Sequence, residues 1–132
     1  MGVGPNYVLD KGHLAQGVTA YTFGEFVVPG TVEQSVTRAT TAGALFAWVC
    51  QEDVDATRIA TGKVMVGCRM LGISRVVAGA AIAKNALLTN DTSARAVTQA
   101  GAAGTPVLGI ALTAATNAGD YIDVLLTPGA TK

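Results

Sequence analysis

The chain has 132 residues, half of them hydrophobic, and only 14% charged against roughly 25% in an average soluble domain. That length favours one domain and permits a compact duplicated one, and the excess of small Ala and Val implies a thin core with weakly charged exterior left to face other subunits. Nine basic residues cancel nine acidic ones, and without a Lys/Arg run the footprint of a nucleic-acid binder is excluded, as is a bilayer span of roughly 18 apolar residues.

Residues 1–17 contain Gly2, Gly4, Pro5, Gly12 and Gly17, and read as an extended arm ahead of a single β domain at 18–132. An arm of this kind can add to a neighbouring sheet edge or lie along a partner, so Val3, Pro5, Tyr7, Val8, Leu9, His13 and Leu14 are the expected partner or subunit interface residues. The same stretch carries no charged and apolar leader pattern, and synthesis in the cytoplasm is expected. A frayed terminus is the bland alternative.

Strands follow from β-branched and aromatic runs bounded by Gly, Pro, Asn and Asp. Phe26 to Val28 and Val32 to Arg38 flank Pro29-Gly30 as a hairpin. Leu45 to Cys50 reads as a strand covered on both faces, with Trp48 in the core. Gln51 to Thr61 has acidic residues early and Arg58 late, which suits a short helix or turn. Lys63 to Arg69 and Ile73 to Val77 form a strand pair or one strand bent at Gly72. Thr105 to Leu112 and Tyr121 to Leu126 follow, the last ending at Pro128-Gly129. Cys50 and Cys68 are expected as buried, reduced thiols.

The chain also reads as written twice, roughly over 20–77 and 80–128. Gly24 aligns with Asn85, Phe26-Val27 with Leu87-Leu88, Pro29-Gly30 with Asn90-Asp91, Ala42-Gly43 with Ala103-Gly104, Trp48 with Ile110 and Gly62 with Gly119. Two similar β units packed as one barrel or sandwich are therefore expected, since neither alone has strands enough for a core. The fold class is all-β.

Catalytic chemistry has little to build on. His13, the one histidine, has no Cys or Ser motif beside it, and no metal-type Cys spacing, His pair or phosphate-cradling loop is present. Glu52, Asp53 and Asp55 form an acidic cluster better read as a solvated loop than as a Ca²⁺ site. Hence no catalytic, cofactor-binding or metal residues, and no cofactor, are expected.

Two stretches carry a family resemblance. Thr105 to Pro128, with its Val107-Leu108-Gly109-Ile110-Ala111 and Gly119-Asp120-Tyr121-Ile122-Asp123-Val124 strands, preceded by Gly72 to Gly79 and Leu87 to Asp91, resembles the capsid cement or decoration proteins of tailed bacteriophages. The resemblance spans about Val18 to Pro128. It implies a small non-enzymatic β protein, homotrimeric, on the capsid exterior of the virion, whose partners are the major capsid protein and itself. Neither nucleic acid nor membrane would be a direct partner. The rival reading is a small β-barrel carrier or ligand-binding module.

Overall fold

Short β-branched runs broken by Gly, Asn and Pro make short strands, and turn-rich sequence between them brings neighbours together. In the computed structural model, which describes residues 8–132, the strands are β1 (Leu9–Ala15), β2 (Phe26–Pro29), β3 (Ser35–Arg38), β4 (Trp48–Cys50), β5 (Met65–Leu71), β6 (Ile73–Val77), β7 (Leu87–Asn90), β8 (Ala96–Thr98), β9 (Pro106–Ala111) and β10 (Tyr121–Thr131). One helical turn, α1 (Ala56–Ile59), is capped by the Asp55 carboxylate, which accepts from the Arg58 N–H. The all-β expectation holds.

β1 to β5 close into a barrel in the order β1-β3-β2-β4-β5, and β6 to β10 form a sheet in the order β6-β10-β9-β7-β8. These orders are the same plan used twice. β6 lies beside β10 as β1 lies beside β5, and β7 sits between β8 and β9 as β2 sits between β3 and β4. Smaller features repeat as well. Bridges Tyr21↔Val54 and Ile82↔Ala115 correspond. Left-handed backbone recurs at Gly24 and Asn85, Gln34 and Ala94, Gly43 and Gly104, and Gly62 and Gly119.

Two boundaries read from the sequence are corrected. The expected arm at 1–17 is not outside the domain over its described part, because Leu9–Ala15 is a barrel stave, antiparallel to β5 and parallel to β3. His13 and Ala15 point inward and are buried, while Gly12, which suggested looseness, lies opposite Gly67 in the ladder. The first unit therefore starts at β1 and the second at β6, so the 20–77 and 80–128 division misplaces both starts.

The units differ at one seam. In the first, Leu14 N–H donates to Gln34 O (2.8 Å) and Gln16 N–H to Val36 O (2.9 Å), closing β1 on β3. The second keeps the counterpart of the latter bond, Gly79 N–H to Ala96 O (2.7 Å). Its other bond is split, with Val77 N–H donating to Gly24 O (3.0 Å) and Phe26 N–H to Ala94 O (2.8 Å). The Gly24–Phe26 turn of the first unit is thus inserted between β6 and β8 of the second. Buried Glu25 holds that turn, accepting from Thr22 N–H (2.8 Å) and pairing with Arg38.

The interior has two parts. Ala15, Tyr21, Val27, Val36, Cys50, Ile59, Val66 and Cys68 fill the first barrel. Phe26, Ala39 and Val49 of the first unit join Val76, Leu88, Leu108, Ile122 and Val124 of the second in one shared core. Cys50 and Cys68 face each other across β4 and β5 as free thiols.

Burial sets a pH limit on the first barrel. It pushes the Tyr21 phenol up to about 12, Cys50 to about 11 and Cys68 to about 12, from ordinary values of 10.0 and 9.0. The unfolded chain loses these protons first, so the stability they lend is intact below pH 9 and lost progressively between pH 9 and 12. Tyr21 Oη also lies 2.6 Å from Gln16 O and 2.9 Å from Val36 O. Tyr21→Phe should cost roughly 1–2 kcal/mol at neutral pH and flatten the decline above pH 10, both read from urea midpoints at a series of pH values.

Candidate interaction surface

β5 runs into β6 with only Gly72 between, at φ +103°, a bend that an L side chain resists. The outward pairs on this ribbon mirror one another about Gly72. On the first unit they are Leu9 with Leu71 and Asp10 with Arg69. On the second they are Ile73 with Leu125 and Arg75 with Asp123. Leu9, Leu71, Ile73 and Leu125 are 47, 46, 51 and 39% exposed, and Val8 adds to one end of the patch at 45%. Exposed apolar side chains that neighbour one another on paired strands are candidates for an association surface.

Charges beside the patch are paired within the chain. Arg69 meets both Asp10 oxygens (2.8 and 3.0 Å) and donates to Ile73 O (3.0 Å), and its guanidinium holds the Asp10 carboxyl below the usual carboxylate range. Arg75 and Asp123 are looser, 3.9 Å apart. A partner would gain nonpolar area here without stripping water from an unpaired charge.

The expected interface residues divide. Val3, Pro5 and Tyr7 lie outside the described residues. Val8 and Leu9 belong to the exposed patch, and half-buried Leu14 lies opposite exposed Met65 at the far end of the β1–β5 ladder. His13 is a correction: only 4% exposed, it stacks on Trp48 (ring centroids 4.8 Å, 30° tilt) and its Nδ1 lies 3.1 Å from Lys11 O. Both rings line an open groove of about 440 Å³ under the 29–35 loop. Leu71, Ile73 and Leu125 were missed because an apolar residue on a strand carries no mark of whether its face is packed or open. The Leu-Gly-Ile centre flanked by Arg69 and Arg75 was the available signal.

The acidic cluster is engaged by backbone. Glu52 Oε1 accepts from Gly67 N–H and Asp53 Oδ1 from Phe23 N–H, both at 2.7 Å, while Asp55 caps α1. These carboxylates tie the β4–β5 excursion to its surroundings.

The described residues thus define an all-β protein of two like five-stranded units, one a closed barrel and the other opened at its seam by the first. No protein-family model matches the chain, and no curated protein matches it. Among solved structures it is similar to the head fiber gp8.5 N base in bacteriophage phi29, with a TM-score of 0.66 and 18% identity, covering 92% of this chain and 95% of that one. At that identity the likeness is one of fold.

Proposed function

We propose that this chain is a structural protein of a phage head, a decoration or cement protein that sits as a homotrimer on the capsid exterior and braces the major capsid protein lattice. The observation that carries this reading is the fold shared, over nearly the whole of both chains, with the base of a phage head fiber. The exposed ribbon about Gly72 supports it, since a neutral apolar face suits a lasting contact with a protein shell. Packed DNA pushes a head outward, and many such contacts add area that must be broken before capsomers part. Repetition over the shell turns modest affinity per site into large stabilisation. No catalytic step enters this role.

Heads assembled without this protein should release DNA at a lower temperature and regain resistance when the purified chain is added back. Equal release temperatures with and without it would remove the reading. Leu71→Asp with Ile73→Asp should leave the circular dichroism spectrum unchanged while lowering occupancy on heads about tenfold or more, each tenfold being about 1.4 kcal/mol.

A further inference from the structure

We infer that copies of this chain associate head to tail, the Asn85–Leu87 turn of one copy entering the β1–β3 seam of the next. The chain carries the template within itself, in the Gly24–Phe26 turn that occupies the β6–β8 seam. Each half of that joint has a counterpart, the turn unengaged and the seam closed on itself by the single bond from Leu14 N–H to Gln34 O.

The turn comes first. Asn85 and Gly24 share the left-handed conformation, at φ +70° and +87°. Both turns are framed alike: Gly24 N–H donates to Cys50 O and Asn85 N–H to Ala111 O, Cys50 N–H to Glu25 O and Ala111 N–H to Ala86 O, Ala39 N–H to Phe26 O and Gln99 N–H to Leu87 O. Phe26 spends its own N–H on the seam of the second unit. The Gln99 N–H to Leu87 O bond sets the Leu87 backbone as the Ala39 N–H to Phe26 O bond sets Phe26. Outside the strand ladders the described residues offer the Leu87 N–H no acceptor, and Asn85 is exposed.

The seam matches. Gln34, whose carbonyl would receive the turn, is left-handed at φ +56°, as Ala94 is at +63°, so the two acceptors are set alike. Opening the first seam breaks one bond, Leu14 N–H to Gln34 O, and leaves Gln16 N–H to Val36 O in place, just as Gly79 N–H to Ala96 O remains in the second unit. Entry of the turn makes two bonds, Leu14 N–H to Asn85 O and Leu87 N–H to Gln34 O. The exchange is one hydrogen bond for two, together with burial of half-exposed Ala86 and Leu87.

One difference tunes the contact. A Cβ at Gly24 would stand 3.2 Å from Val77 N and 2.9 Å from the Tyr121 ring, and Asn85 brings such a Cβ. Its neighbours in the first seam would be Leu14 N and the exposed, flexible Met65 side chain, so the seat must give by a few tenths of an ångström. A contact of this kind joins unlike surfaces and closes into a ring when its rotation permits. The trimer in the proposed function would be such a ring, with six five-stranded units linked by one kind of joint. The inference rests on that reading only for the number of copies.

Sedimentation velocity of the full chain in solution, with no heads present, tests it. Wild type should associate with rising concentration, Asn85→Gly should shift the midpoint to about tenfold lower concentration, and Leu87→Pro to about tenfold higher or beyond measurement. Proline at the first residue of β7 removes an N–H that makes no bond outside the strand ladders in the single chain, so melting should stay near wild type. In the associated state the Leu87 amide should become protected from hydrogen exchange. Association that ignores both substitutions, with the Leu87 amide still open, overturns the joint and leaves a trimer built through another face. A wild type and Asn85→Gly that both stay monomeric overturn the joint and the trimer together. Should Leu87→Pro fail to fold, Asn85→Gly and the Leu87 amide decide.

Discussion

Replacing Asn90 with alanine should lower stability by roughly 3–4 kcal/mol, read as a shifted urea midpoint with an unchanged slope. Asn90 is fully buried at the end of β7 and reaches across to the first unit. Its Nδ2 donates to Ala39 O and Thr41 O, both at 2.8 Å, and its Oδ1 accepts from Ala44 N–H at 2.9 Å. One side chain thus satisfies three backbone groups of the chain that leads into β4. Alanine leaves them without that partner, and an unpaired buried polar group costs about 1–3 kcal/mol. Asn90→Asp should be no better at neutral pH, since an acceptor then faces two carbonyls. A loss under 1 kcal/mol for alanine would mean that this contact does not hold the units together.

Gly24→Val should cost roughly 3–5 kcal/mol, the largest effect expected of a single turn residue. Two causes combine. At φ +87° a β-branched residue is strained by about 1–3 kcal/mol, and its Cβ would press on Val77 N (3.2 Å), Arg75 O (3.4 Å) and the Tyr121 ring (2.9 Å). Backbone on β6 cannot step aside without loosening its ladder with β10. The same substitution at Asn85, whose turn is exposed in the single chain, should cost only the conformational strain. Comparing the two variants by thermal melting separates strain from the inserted joint, and equal losses would count against the insertion.

The all-β class was legible because β-branched runs punctuated by Gly, Pro and Asn leave little room for helices, and the aligned turns pointed to two like units. Turn chemistry is local, so it survives where side chains diverge: Gly24 and Asn85 both hold left-handed backbone despite unlike side chains. β1 was not legible. Leu9-Asp10-Lys11-Gly12 lacks alternation, and only pairing with β5 and β3 makes it a stave. β10 was read short, since Pro128-Gly129 signals a stop, yet the strand continues to Thr131 past a register shift. Leu45 was read as buried but lies 69% exposed ahead of β4, which starts only at Trp48. The surface patch escaped for a similar reason. Leu71, Ile73 and Leu125 are as hydrophobic as core residues, and their exposure follows from which face of the ribbon each unit packs.

The inserted turn also sets an order of dependence. The first unit has its own filled interior and a seam closed by its own strands, whereas the second borrows Gly24–Phe26 to complete its circuit. A ribosome delivers the lender before the borrower, so the nascent N-terminal half can mature while the rest is still being made. Isolated halves should therefore behave unequally, the leading one compact and the trailing one adhesive, its gap open to any extended peptide.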